Sequence, residues 1–183
     1  MLEALTLLKA QGKIKNYGIC NYDKKNTRKF LRYVGKNNFL EPFTNQFEYN
    51  LINFSEQSSL FEFMESTSLK TLTWGPLSSG LLTDWYLNKN YIRPNSRIEV
   101  GRENNTKNLT LNKKSTKDVL KKISSYCLKF NIPAQIFSLL WILKTKPYNS
   151  PLIGPSSIKQ FLQLITEVNN NKYNQIDFNS LGF

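Results

Sequence analysis

The sequence contains no histidine, so no imidazole is available as a ligand or proton carrier. Its only cysteines are Cys20 and Cys127, too few for a disulfide framework or a cysteine metal site. No metal is expected. Nor does any run approach the roughly 18–20 apolar residues that a membrane span needs. Residues 1–10 lack a basic start followed by a long apolar stretch, which argues against secretion. The N-x-Ser/Thr sites at Asn53, Asn104 and Asn108 then read as polar loop sequence. A reducing, cytoplasmic setting with no membrane partner fits these absences best.

Acidic residues are also scarce, at 13 against 25 Lys plus Arg, leaving a net charge of +12. Such a balance suggests nucleic acid until its distribution is considered. The cations are mostly lysines spread along the chain, with arginine only at 28, 32, 93, 97 and 102. Asparagine is abundant too, as in Asn37-Asn38, Asn104-Asn105 and Asn169-Asn170-Asn171. Lys and Asn rising together point to an AT-rich coding bias, and no nucleic-acid partner is expected.

What is present is enough for one domain over residues 1–183, with 40% hydrophobic and 13% aromatic residues to build a core. The apolar period switches repeatedly between helix-like and strand-like. Leu2, Leu5, Leu7 and Leu8 mark an opening helix that stops at Gly12, a C-cap residue. A short strand ends at Cys20. Asp23 caps the next helix, with Phe30, Leu31 and Val34 inward and Gly35 closing it. Residues 43–49 form a strand, and Ser55 caps a helix carrying Leu60, Phe61, Phe63 and Met64. Lys70 to Trp74 is a third strand. Residues 78–114 make a long, Asn-rich connection, a length usual for functional or disordered loops. Ser115 or Thr116 caps a helix with Val119, Leu120, Ile123 and Leu128 on its apolar side. Pro133, at N1, opens another through Ile136, Leu139, Leu140, Trp141 and Leu143. Pro151-Leu152-Ile153 is a last strand, and Ser156 or Ser157 starts a helix through Phe161, Leu162, Ile165 and Val168. The tail from Lys172 has no strong pattern.

Strands alternating with helices imply parallel pairing through right-handed crossovers. Ligands of such folds lie beyond the carboxyl ends of the strands. Those ends read Gly18-Ile19-Cys20-Asn21-Tyr22, Asn45-Gln46-Phe47-Glu48-Tyr49-Asn50, Trp74-Gly75-Pro76-Leu77-Ser78-Ser79-Gly80 and Gly154-Pro155-Ser156-Ser157. Each offers amides, hydroxyls, a flat ring or glycine-opened backbone, groups suited to a polar, planar cofactor.

These residues resemble the aldo-keto reductase family. Gly12-Lys13-Ile14-Lys15 with Gly18 to Tyr22 is similar to its G-K-I-R…G-(V/I)-S-N-(F/Y). Gln46 to Leu51 resembles N-Q-x-x-Y-(N/S)-L, and Trp74 to Thr83 resembles (W/Y)-S-P-L-x-x-G-(L/I)-L-(T/S). Ile132 to Gln135 with Leu140-Trp141 looks like T-P-A-Q-x-A-L-x-W. Ile153 to Ser157 with Gln160 looks like I-G-(A/P)-(R/S)-S-x-x-Q. Five blocks in family order span roughly residues 9–168. They lean toward the branch with general-stress reductases and potassium-channel beta subunits.

The resemblance implies the carboxyl-terminal half, strands five to eight, of a (β/α)8 barrel, and a nicotinamide dinucleotide: NADP, with NAD as the alternative. Trp74 would stack on the nicotinamide ring, while Cys20 (usually Ser), Asn21 and Gln46 hold its carboxamide. Gly75, Pro76, Leu77 and Ser79 would follow the pyrophosphate through backbone N–H groups, and Arg97 would belong to a closing segment. Gly154, Ser156 and Gln160 would meet the adenosine ribose and its 2′-phosphate. Two departures stand out here. Gln163 and Leu164 replace the family's usual Glu and Asn, and Pro155-Ser156 lacks an arginine for the 2′-phosphate.

The family reduces a small-molecule carbonyl substrate with a tyrosine proton donor tuned by Lys, Asp and, in most branches, His. Those positions lie upstream of the blocks found here, so no catalytic residue is assigned and the chain alone is expected to be inactive. A half-barrel leaves an open inner face and two unpaired edges. Poor solubility is expected, or pairing with a complementary amino-terminal half or with itself. The alternative function is a non-catalytic nucleotide-binding or partner-binding module.

Overall fold

The computed structural model describes residues 1–89, 113–146 and 149–183. In order these form α1 (Leu2–Ala10), β1 (Gly18–Cys20), α2 (Lys24–Lys36), β2 (Thr44–Glu48), α3 (Phe54–Glu65), β3 (Lys70–Trp74), α4 (Asp84–Lys89), α5 (Lys114–Phe130), α6 (Ala134–Thr145), β4 (Asn149–Pro151) and α7 (Ile158–Val168). The strands make one parallel sheet in the order β1-β2-β3-β4. The strand–helix alternation is thus an α/β layer consistent with part of a barrel.

Alternation along each strand assigns the two sheet faces. Register aligns Ile19, Asn45, Thr71 and Asn149, and all four are buried. The next row, Cys20, Gln46, Leu72 and Ser150, faces the other way and is exposed or half-buried. Glu48 and Trp74 pair one row further along on that open face. Among the described residues only one face of the sheet is covered.

The core fills the covered side. Phe47 meets Phe61 edge-on at 5.2 Å, and Tyr49 stacks on Trp141 at 5.5 Å. α6 buries every residue from Ile136 to Ile142, as a helix enclosed on all sides must. Each large side chain buried there contributes about 1.5–3 kcal/mol. Two buried acceptors in this layer, Asn45 Oδ1 and Asn149 Oδ1, have no hydrogen-bond partner, at about 1–3 kcal/mol each.

Several local expectations shift. Asp23 does cap α2, accepting from the Asn26 N–H at 2.7 Å, but the helix runs past Gly35 to Lys36. α3 is preceded by Asn53 rather than Ser55, because the Asn53 side chain accepts from the Asn50 N–H at 2.8 Å. α5 begins at Lys114, ahead of Ser115 and Thr116, and Pro133 sits at the N-cap of α6 rather than at N1. β4 lies two residues earlier than the apolar triplet suggested. Its inward residue is polar Asn149, whose Nδ2 donates to Thr73 Oγ1 at 2.9 Å. The 78–114 connection opens with a 3-10 turn, Ser78–Gly80, and α4, while residues 90–112 lie outside the described set.

Exposure differs among the apolar helix positions. Leu128 is 78% exposed, and no residue of α1 is buried. On α7 only Leu164 is buried, while Ile158, Phe161, Leu162 and Ile165 face solvent. Conversely, the tail docks. Tyr173, Ile176, Phe178 and Leu181 are buried, and Phe183 reaches Trp141 at 6.1 Å. Among the described residues no single helix is long and apolar enough to cross a membrane, and no cluster of three or more His, Cys, Asp or Glu could hold a metal.

Candidate functional site

The strand tips meet on the open face. Past Cys20 the chain turns through Asn21 at φ 57°, a left-handed conformation that asparagine tolerates better than most residues. The Asn21 N–H donates to the Gln46 carbonyl at 2.7 Å, continuing the β1–β2 ladder. Its side-chain Oδ1 accepts from Trp74 Nε1 at 3.1 Å. That bond joins the tips of β1 and β3 over Gln46 on β2. Trp74 is half-buried, with its polar edge fixed at the open end of the sheet.

Beyond Trp74 the backbone reverses. Gly75 has φ 65°, and a Cβ there would meet Glu48 Oε1 at 3.2 Å. Asn50, 1% exposed, locks this turn: its Nδ2 donates to the Gly75 carbonyl at 3.0 Å, and its Oδ1 accepts from the Ile52 N–H at 2.9 Å. Ser78, Ser79 and Gly80 also have positive φ (45°, 57° and 107°). Left-handed non-glycine residues cost roughly 1–2 kcal/mol each, so the surrounding structure must hold this turn in place. The Ser78 N–H donates to the Gly75 carbonyl and the Gly80 N–H to the Leu77 carbonyl, both at 2.9 Å. Pro76 has no N–H, so its contribution to anion binding can only be to shape the loop.

At the fourth tip, Gly154 and Ser156, between β4 and α7, and Gln160, in the first turn of α7, are exposed. Ser157 caps α7, accepting from the Gln160 N–H at 3.2 Å. Gln160 Oε1 in turn accepts from the Ser156 N–H at 2.8 Å and its hydroxyl at 3.0 Å. The Leu152 N–H donates to the Thr73 carbonyl at 2.7 Å, which seats this segment beside the strand that carries Trp74. Within 154–160 the single cation is Lys159.

The structure therefore joins Cys20, Asn21, Gln46, Trp74 and Gly75 at adjacent tips, with Pro76, Leu77 and Ser79 following. Gly154, Ser156 and Gln160 form a separate group linked by their own cap. Arg97 lies outside the described residues. The tips of β1 and β3 set the Trp74 indole beside the Asn21 carboxamide, with Gln46 on the strand between them, groups that suit a flat, polar ring. The fourth tip offers hydroxyl and amide groups suited to a ribose.

Sequence reasoning missed three positioning residues. Asn50 and Glu48 brace the turn after Trp74, and only a buried Asn just past a strand hinted at it. Gln135, quoted for its motif alone, accepts from the Asp84 N–H at 3.3 Å, while Asp84 Oδ1 accepts from the Ala134 N–H at 2.9 Å. The pair ties α4 to the start of α6.

Comparison with known proteins agrees. The model of the aldo/keto reductase family matches residues 1–181. An aldo-keto reductase of Babesia bovis is 32% identical over 89 residues, 47% of this chain and 31% of that protein. An aldo-keto reductase of Fusarium vanettenii is 24% identical over 126 residues, 67% of this chain and 31% of that protein. YrpG, an uncharacterized oxidoreductase of Bacillus subtilis, is 24% identical over 167 residues, 91% of this chain and 48% of that protein. The chain spans at most about half the length of these relatives. On the strength of the match across residues 1–181, the chain belongs to the aldo/keto reductase family.

Proposed function

We propose that this chain is the dinucleotide-holding, carboxyl-terminal half of a (β/α)8 reductase that converts an aldehyde or ketone to an alcohol with NADPH, or with NADH. One observation carries the reading: the Trp74–Asn21 hydrogen bond sets an indole and two carboxamide side chains side by side at the tips of a parallel sheet. Trp74 would pack its ring against the nicotinamide, and Asn21 and Gln46 would orient the carboxamide. Cys20, in register with Gln46, would line the same row. Gly75 to Ser79 would follow the pyrophosphate, and Gly154, Ser156 and Gln160 the adenosine ribose. When bound, the dinucleotide supplies a hydride.

No residue of this chain is assigned the proton transfer, because a general acid must lie within hydrogen-bond reach of the carbonyl oxygen. That group would come from a complementary set of strands. Parallel sheets are normally covered on both faces, and among the described residues this one is covered on one. The exposed apolar stripe on α7, the helix that follows edge strand β4, offers a surface to such a partner.

Titration with NADPH and with NADH, followed by tryptophan emission, tests the binding half of the proposal. Saturable quenching is expected for the wild type and not for Trp74→Phe. Equal quenching in both, or none in either, would remove the support for the site. Carbonyl reduction by this chain alone would overturn the division of labour.

A further inference from the structure

Cations that look scattered along the sequence come together on the outer face of α2. At about 100° per residue, Lys25, Arg28, Lys29, Arg32 and Lys36 fall within an arc of about 100° that runs about 16 Å along the helix. All five are exposed. The opposite side of the helix carries the buried Thr27 and Val34, and Thr27 Oγ1 accepts from Asn45 Nδ2 of β2 at 3.2 Å. The basic face is therefore turned away from the sheet.

Stability does not favour this arrangement. Lys25 with Lys29, Arg28 with Arg32, and Arg32 with Lys36 are like-charged pairs four residues apart, and each weakens the helix. Lys24 and Lys25 also stand in the first turn, where the helix dipole disfavours cations. No carboxylate lies within α2, and among the described residues none of the five cations forms an ion pair. A coding bias accounts for the amount of lysine. It does not account for a helix without a carboxylate, or for two of the five arginines standing on its one exposed face. Tyr33, one turn from both Lys29 and Lys36, flanks the arc. Its ring stacks on Phe39 at 6.2 Å and is still 55% exposed.

We infer that this face binds a single-stranded nucleic acid, with the cations along its phosphates and a base on the Tyr33 ring. Lys25, Lys29, Arg32 and Lys36 rise by about 4.5–6 Å from one to the next, so positive charge repeats along the helix as negative charge does along a phosphate backbone. Cations on phosphates beside an exposed ring tolerate any base sequence. An anionic membrane fits less well. A helix that lies on lipid turns its apolar side outward, and α2 turns its own toward the sheet. This surface does not depend on the reductase reading.

The test uses the whole chain and a fluorescein-labelled oligothymidylate of about twelve nucleotides, read by anisotropy. A Kd of about 10 μM or tighter is expected at about 50 mM salt, with a log–log salt slope of about −3. Arg32→Gln with Lys36→Gln should weaken binding about tenfold or more and make the slope shallower by about one, with an unchanged far-ultraviolet spectrum. Tyr33→Leu should weaken binding about fivefold and leave the slope as it is. Lys117→Gln with Lys121→Gln removes the same charge from exposed positions on α5 and should keep the affinity within about twofold. Equal weakening by the α5 pair would reduce the effect to net charge and overturn the inference. So would full affinity in the α2 pair or in Tyr33→Leu, tighter binding to a duplex or to phosphatidylserine vesicles, or no binding of the oligonucleotide up to about 100 μM.

Discussion

Trp74 Nε1 donates to Asn21 Oδ1 at 3.1 Å, tying together two strand tips that lie 53 residues apart in sequence. The bond does for the site what β2 does for the sheet: it fixes β1 and β3 relative to each other at the end where a ligand would lie. Asn21→Ala removes the acceptor and also places alanine in a left-handed conformation, whereas Asn21→Gly removes only the acceptor. Both are expected to weaken NADPH binding about tenfold, and Asn21→Ala alone to lose a further 1 kcal/mol or so of stability in urea. Undiminished binding in the glycine variant would show that the hydrogen bond does not position the indole.

Trp74 and Trp141, two of the three tryptophans, should respond in opposite ways to truncation. Trp74 is half-buried at the open face, so Trp74→Ala should leave the thermal midpoint nearly unchanged while abolishing the nucleotide-dependent emission change. Trp141 is 4% exposed, stacked on Tyr49 and edge-on to Phe54, so Trp141→Ala should cost about 3–5 kcal/mol. Differential scanning calorimetry separates the two outcomes.

Gly75→Ala would strain the turn and press a methyl group against Glu48 Oε1, 3.2 Å from the new carbon. A loss of about 1–2 kcal/mol is expected in urea titration. Glu48→Ala in the same chain should recover only the steric part, because the φ of 65° remains. Full recovery would mean that backbone strain plays no role.

The α7 stripe predicts behaviour in solution. Exposure runs from 41% at Phe161 and Ile165 to 79% at Ile158, so these side chains hold little of the fold together. Phe161→Lys with Ile165→Lys should reduce self-association, measured by light scattering on a sizing column, without altering the circular dichroism. Leu164→Lys, at a buried position, should unfold the helix. Association that persists unchanged in the double variant would place the sticky surface elsewhere.

Alkaline pH should destabilise the chain. Burial, and secondarily the Asp84 carboxylate, pushes the Cys127 thiol from 9.0 up to about 12. Burial also raises the Tyr49 phenol above its ordinary value of 10.0. The unfolded chain releases both protons at a lower pH than the folded one, so their contribution is complete below about pH 9 and is lost as pH rises toward about 12. Urea midpoints taken at about pH 8 and about pH 10.5 should differ, and the difference should shrink in Cys127→Ala and Tyr49→Phe. A midpoint independent of pH over that range would contradict both shifts.

Reading the chain residue by residue located the helices well because α2 and α6 carry their own signals: an Asp23 cap, and a Pro133 start. It located the tips of β1 and β3 well because Asn21 and Trp74 stand immediately at strand ends, where parallel topology sends ligands. It misjudged β4 because the strand's inward residue, Asn149, is polar and donates to Thr73 from a different strand. It found no pattern in the tail because Phe178 and Phe183 pack on residues of distant helices, Phe137 and Trp141 among them.

The order of residues alone determined the alternation of strand and helix and the chemical groups at each strand end, since both follow from local periodicity and from what stands next to what. Tertiary structure alone decided which apolar stripe is covered. Leu164 is buried while Phe161 and Leu162, equally apolar, are not, because burial depends on which neighbour arrives and not on the helix itself. It also decided that Trp74 and Asn21 would be partners, a contact that exists only once β1, β2 and β3 lie side by side in register.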